Sequence, residues 1–135
     1  MSETYNKPLP KIDTLNRPFW EAAQKKKLVV QVCAACGDRR FPPSPVCPQC
    51  LSSDRGWVEV SGLGTLESWA DFHRAYWDGF RDALPYRVCL VRLAEGPLLV
   101  SNLVGDSDGA KLGAAVRVVF EAVTADVTLP KFTLA

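Results

Sequence analysis

The chain has 135 residues, 47% hydrophobic and 23% charged, a balance that suits one globular domain or two small modules sharing a core. Sixteen basic and fifteen acidic residues leave a formal charge of +1, which supplies no general attraction to nucleic acid or anionic membrane. No apolar run approaches the length of a bilayer span, and the opening MSETYNKPLPKIDTLN lacks the apolar core of an export signal, so the expectation is a cytoplasmic protein that works without a membrane.

In chain order, residues 1–13 carry two prolines and no periodic pattern, and read as a loose arm. Asn16 is a candidate helix N-cap with Pro18 tolerated in the first turn, and RPFWEAAQKKK reads as a helix to about Lys27, its three lysines near the end that favours positive charge. LVVQVC is short, β-branched and alternating, a strand that leads into the first cysteine pair. After Cys50 the runs WVEVSGLGTLESWADF, YRVCLVRL, PLLVSNLV and AAVRVVFEAV are strand-like and separated by Gly, Asp and Pro signals. Gly62 and Gly64 interrupt the first of them, which suggests the bulge or bend that curls a sheet. Glu95 to Pro97 marks a tight turn, and Gly105 to Gly113 a longer loop. Four or five strands at these spacings fit a small closed sheet such as an OB-type barrel, with a sandwich as the alternative.

Four of the five cysteines lie in CAACGDRRFPPSPVCPQC, as two C-x-x-C pairs, Cys33/Cys36 and Cys47/Cys50. Each pair places two sulfurs at the tip of a tight turn, and two such turns complete a tetrahedron of thiolates. Gly37 allows the positive φ that follows the first pair, and Pro42, Pro43 and Pro45 restrict the loop between the knuckles. Zinc is the expected ion; an iron site of rubredoxin type needs the same ligands, and two disulfides or free structural thiols are the metal-free alternative. Four thiolates leave no coordination position for substrate, so the site is expected to be structural.

No catalytic constellation stands out elsewhere. Cys89 shares a strand face with Val91 and Leu93 and reads as core. His73 is the sole histidine, and the chain shows no Ser/His/Asp spacing, paired-carboxylate motif or phosphate-cradling glycine loop. The segment Asp71 to Asp82 is the most unusual stretch: Phe72, His73, Tyr76, Trp77 and Phe80 recur at helical spacings. It reads either as a short helix plugging one end of the barrel or as a contact surface, since aromatic and arginine anchors are favoured at interfaces and Arg74 and Arg81 lie among them.

Taken in order, Cys33 to Gly37, Phe41-Pro42-Pro43, Cys47 to Cys50, Trp57 to Gly64, Leu93 to Gly96 and Pro130-Lys131-Phe132 form a pattern that resembles the zinc-ribbon/OB-fold acyl-CoA-associated proteins, the family called domain of unknown function thirty-five. The match runs from about Asn16 through nearly the whole chain. The resemblance implies a mainly β fold: an N-terminal arm and helix over 1–27, a rubredoxin-like zinc ribbon over 28–56 and an OB-fold barrel over 57–135. It further implies a non-catalytic subunit beside thiolase-superfamily enzymes, lipid-transfer-like aldolases and sometimes acyl-CoA hydratases.

Three functions follow for weighing. The first is an accessory subunit that aids assembly and acyl-CoA handling in such a complex, with Trp20, Phe72, Tyr76, Trp77, Phe80, Arg74 and Arg81 as candidate partner or acyl-CoA contacts. Arg87 and Lys111 join Arg74 and Arg81 as candidates for the CoA phosphates. The second is a protein that binds single-stranded nucleic acid, a use open to OB barrels and zinc ribbons but one that asks for a positive groove this charge balance does not promise. An independent enzyme ranks last, given a closed metal site and a single histidine.

Overall fold

The computed structural model describes residues 5–135. Helix α1 spans Arg17–Gln24, with Pro18 in its first turn and Phe19 and Ala23 on its buried face. Asn16 occupies the N-cap position, yet its amide does not cap the helix. Its Oδ1 accepts the Asp13 N–H at 2.8 Å and its Nδ2 donates to the Lys11 carbonyl at 2.9 Å, so it fixes the approach of the arm instead. The helix stops at Gln24, one turn short of the sequence reading. Lys26 turns left-handed at φ +60°, and the N–H groups of Lys26 and Lys27 close back on Ala23 and Ala22 at 2.9 and 3.0 Å. That crossed pair of bonds is a helix-terminating cap, so the lysines follow the helix and do not lie within it.

Strand β1 (Leu28–Cys33) is the centre of a three-stranded antiparallel sheet, flanked by β2 (Arg39–Arg40) and β3 (Arg55–Val60). The chain then turns at Ser61 and Gly62 into a second sheet of β4 (Leu63–Phe72), β5 (Tyr86–Leu93), β6 (Leu98–Asn102), β7 (Ala115–Ala122) and β8 (Thr128–Leu134). Its order is β6-β5-β4-β7-β8, antiparallel throughout. A single parallel bridge, Leu103 to Phe132, brings the end of β6 to β8, and the Val104 N–H donates to the Phe132 carbonyl at 2.8 Å. Those contacts nearly close the sheet, which is the OB topology.

The WVEVSGLGTLESWADF run is therefore two strands in two sheets. Gly62 makes the corner at φ +80°, where a Cβ would stand 2.3 Å from Val118 Cγ1. Gly64 lies against the β5 backbone, and a Cβ there would meet the Arg92 carbonyl oxygen at 2.6 Å. The irregularity in the ladder falls later, between Leu66 and Ser68, so the glycines serve close approach and the bulge sits at Glu67. Glu95 ties the corner down: in the tight turn after β5, its Oε2 accepts the Ser61 N–H at 2.9 Å.

One core joins the parts. Phe19, Leu28, Val30 and Val60 pack in the same cluster as Leu66, Val91, Leu93, Leu99, Val116 and Phe132. Cys89 belongs to that cluster, buried as its strand face required. The arm from Tyr5 onward is docked, contrary to the loose segment read from the sequence. Asn6 lies so close to Gly79 that a Cβ on Gly79 would come within 2.4 Å of the Asn6 carbonyl oxygen. Among the described residues no helix is long and apolar enough to cross a membrane.

Candidate functional site

The two knuckles are built alike. In the first, the Cys36 N–H points to the Cys33 sulfur at 3.4 Å, the Gly37 N–H donates to the Cys33 carbonyl at 2.9 Å, and the Cys33 N–H donates to the Asp38 carbonyl at 2.8 Å. In the second, the Gln49 N–H points to the Cys47 sulfur at 3.4 Å, and Leu51 and Ser52 make the two backbone bonds to Cys47, each at 2.9 Å. β1 delivers Cys33 and the proline-rich loop delivers Cys47, both buried, while Cys36 and Cys50 are exposed.

The four sulfurs lie within 4.8 Å of one another, with Cys33 to Cys50 at 3.5 Å and Cys36 to Cys47 at 3.7 Å. A zinc ion with bonds of about 2.3 Å to four thiolates sets its sulfurs about 3.8 Å apart, so the cluster is of the right size. The four groups do not ionise independently. The Cys36 N–H holds the Cys33 thiol down at about 6. The Asp38 backbone would lower Cys36, but burial and the neighbouring sulfurs push it up to about 12. Burial works against ionisation of Cys47, yet the Cys50 and Gln49 backbones leave it lowered. Backbone N–H groups thus favour a thiolate in each knuckle, and a divalent cation would complete the set. The arrangement is a zinc ribbon whose four cysteines are positioned to hold a metal ion, with no fifth His, Cys, Asp or Glu ligand in the cluster among the described residues.

The aromatic segment is not one helix. β4 continues to Phe72, whose partner is Tyr86, and the chain forms a 3-10 helix only at Asp78–Ala83. Trp77 precedes it in extended conformation at φ −129° and ψ 139°, which breaks the helical spacing read from the sequence. Phe72 and Phe80 both stack on Tyr86, with ring centres 5.1 and 4.9 Å apart. Tyr76 and Trp77 stand out from this stack, 62% and 55% exposed. Arg74 lies 5.2 Å from the Tyr76 ring centre, and Arg81 forms an exposed pair with Asp78 at 3.1 Å. Trp20 lies on α1 and packs edge-on against Phe19, half-buried. His73 and Lys111 are exposed.

Arg87 does more than the sequence suggested. It bridges β4 and β5 through a bidentate pair with Asp71 (Nε to Oδ1 at 2.6 Å, Nη2 to Oδ2 at 3.1 Å), and its Nη1 donates to the Ser107 carbonyl at 3.0 Å. That hydrogen-bonded guanidinium holds the Asp71 carboxyl below its usual range. Sequence reasoning assigned no site to Tyr5, Lys7 or Lys131, which line a cleft beside this pair. No spacing signal announces a polar arm that folds back over the barrel.

Residues 57–121 match the family described as ChsH2, C-terminal OB-fold domain, and residues 20–54 match ChsH2, rubredoxin-like zinc ribbon domain. A "Probable enoyl-CoA hydratase alpha subunit" of Thermomonospora curvata is 40% identical over 127 residues, which is 93% of this chain but 39% of that longer protein. A "DUF35 domain-containing scaffold protein" of Methanothermobacter thermautotrophicus is 32% identical over 109 residues, covering 79% of this chain and 81% of its own. Among solved structures, a chain described as "Ltp2-ChsH2(DUF35) aldolase" superposes with a TM-score of 0.84 at 38% identity, over 93% of this chain and 98% of that one. With its zinc ribbon, its OB barrel and these relatives, the chain belongs to the DUF35 family.

Proposed function

We propose that this chain is a non-catalytic accessory subunit of a thiolase-superfamily enzyme, a thiolase or a lipid-transfer-like aldolase, that acts on acyl-CoA. In this role it aids assembly of the complex and handling of the thioester. The observation that carries the reading is the likeness, at a TM-score of 0.84, to a chain of an Ltp2-ChsH2(DUF35) aldolase, whose name pairs such a subunit with an aldolase. The scaffold naming of the archaeal relative supports it. The metal ligands Cys33, Cys36, Cys47 and Cys50 then have a structural role. Tyr76 and Trp77, exposed beside Arg74, are the contacts we assign first to the partner. Phe72 and Phe80 support that surface through their stack on Tyr86, Arg81 lies in the adjoining 3-10 helix, and Trp20 on α1 is assigned to the partner as a separate contact.

A second reading concerns only the partner. The 40% identity to a hydratase alpha subunit favours an acyl-CoA hydratase in place of the carbon–carbon bond enzyme. Strand binding by the OB barrel is disfavoured, because a formal charge of +1 offers little to a phosphate backbone.

The test is kinetic. The purified chain alone should turn over no acyl-CoA thioester, and adding it to its thiolase-like partner should raise that partner's turnover or soluble yield severalfold. Gain in hydration but not in cleavage selects the second reading. A partner indifferent to the chain in both assays would rule out the subunit role.

A further inference from the structure

We propose that the cleft between the N-terminal arm and the mouth of the barrel binds a small phosphorylated molecule with a planar ring. The proposal needs no partner and is tested without one, although Phe80 also borders the surface assigned to docking above. The cleft has a volume of about 480 Å³, within the usual range for small-ligand sites. Its walls come from three parts of the chain. The arm contributes Tyr5, Lys7 and Pro8, the 3-10 helix and β5 contribute Phe80 and Tyr86, and the strand ends contribute Arg87 and Lys131.

The lining has a definite chemistry. It includes three cationic side chains and not one acidic residue, in a chain whose charges otherwise nearly cancel. Lys131 and Arg87 are partly sequestered, with side chains 18% and 25% exposed, and Glu121 and Asp71 hold them in place without lining the cleft. Lys131 gives one bond to Glu121 at 2.8 Å, and an ammonium has two further donors. Lys7 has no ion-pair partner among the described residues. Its ammonium stands 5.6 Å from the Phe80 ring centre and 5.9 Å from that of Tyr5. Phe80 is also the end of the three-ring stack through Tyr86 to Phe72. Tyr86 is covered by Phe72 and Phe80, so a planar ring would pack against Tyr5 and Phe80 in place of the Lys7 ammonium, freeing Lys7 to meet an attached phosphate together with Lys131, where a charged acceptor makes the stronger hydrogen bonds. A neutral ring leaves the ammonium groups unused, and a bare phosphate leaves the aromatic wall unused.

The arm is what makes the cleft a site and not an open face. It is seated on Gly79, where any side chain would strike the Asn6 backbone at 2.4 Å. Gly79 does not line the cleft, so Gly79→Ala displaces one wall without changing a lining residue.

Isothermal titration of the full chain with AMP, adenosine and ribose 5-phosphate tests the assignment. AMP is expected to fill one site per chain at least tenfold more tightly than either fragment. Lys7→Gln should weaken AMP roughly tenfold, about one charge-assisted contact, and leave adenosine unchanged. Gly79→Ala should weaken AMP with no change in melting temperature; if it melts early, deletion of residues 1–8 takes its place and should weaken AMP likewise. Equal affinities for AMP and its fragments, or AMP binding indifferent to Lys7→Gln, would overturn the proposal. Tighter binding of a single-stranded oligoadenylate, lost steeply with added salt, would overturn it in favour of a strand-binding surface.

Discussion

Leu51 occupies in the second knuckle the backbone position that Gly37 fills in the first. Both are left-handed, at φ +65° and φ +80°, and each N–H closes back on the first cysteine of its pair. A side chain costs about 1 kcal/mol or more in that conformation, and Leu51 recovers little by burial, being 76% exposed. Leu51→Gly should therefore raise stability by about 1 kcal/mol in urea unfolding of the zinc-loaded protein, less whatever entropy glycine adds to the unfolded chain. A loss of stability would mean that Leu51 packs in a way its exposure hides. At the cysteines the expectation runs the other way. Cys36→Ser or Cys47→Ser should reduce the metal content from about one zinc per chain to a small fraction and lower the melting temperature by about 10 °C or more. Elemental analysis of freshly purified protein with neither zinc nor iron would contradict the ribbon's role. Gly64→Ala probes the corner: its Cβ would meet the Arg92 carbonyl oxygen at 2.6 Å and Val91 Cγ1 at 2.8 Å, and backbone cannot yield as a side-chain tip can. A loss of about 2 kcal/mol is expected, read from denaturant midpoints.

At the scale of elements, the Asp71–Arg87 pair fastens the far end of β4 to β5, just where the aromatic turn begins. The hydrogen bond from Arg87 lowers the Asp71 carboxyl from its ordinary value, so the pair's contribution is full above about pH 4 and fades as pH falls through the lowered value. Asp71→Asn should accordingly be less stable than the parent near pH 6, and the gap should close as the solution is taken toward pH 2. A gap of constant size would show that charge has no part in it. Beyond the pair lies the turn that sequence periodicity misjudged. Helical spacing of aromatics in Asp71 to Asp82 arises because Phe72 and Phe80 both reach Tyr86 from opposite sides of a loop, a long-range contact that local pattern does not encode. The same geometry separates the variants for an interface test. Tyr76→Ala and Trp77→Ala remove exposed rings and should weaken assembly with the partner about thirtyfold, or about 2 kcal/mol, at unchanged melting temperature. Phe80→Ala breaks a stack inside the chain, so its effect on assembly should come with a lower melting temperature.

For the molecule as a whole, the ribbon was legible because metal ligation fixes spacing in sequence, and the tight turn at Glu95 to Pro97 because glycine and proline punctuate it. The Leu-x-Glu-Gly motif gained its reason only in three dimensions, where the Glu95 carboxylate accepts the Ser61 N–H at the corner between the two sheets. Closure of the barrel was less visible. β8 carries Pro130 in its interior and alternates weakly, so nothing marks it as the strand that meets β6 through Leu103 and Phe132. Nor could sequence reveal that ribbon, helix and barrel share one core, with Val60 and Phe132 in the same cluster. That shared core packs the ribbon and helix against the barrel, an arrangement suited to the proposed role of holding a partner in place. The central claim is that it does so as a subunit. Co-expression with the proposed thiolase-like partner, followed by size-exclusion chromatography with light scattering, measures this most directly. A single peak whose mass is the sum of both chains in a fixed ratio, persisting at submicromolar concentration, is the predicted result; separate peaks at the masses of the two isolated proteins would contradict it.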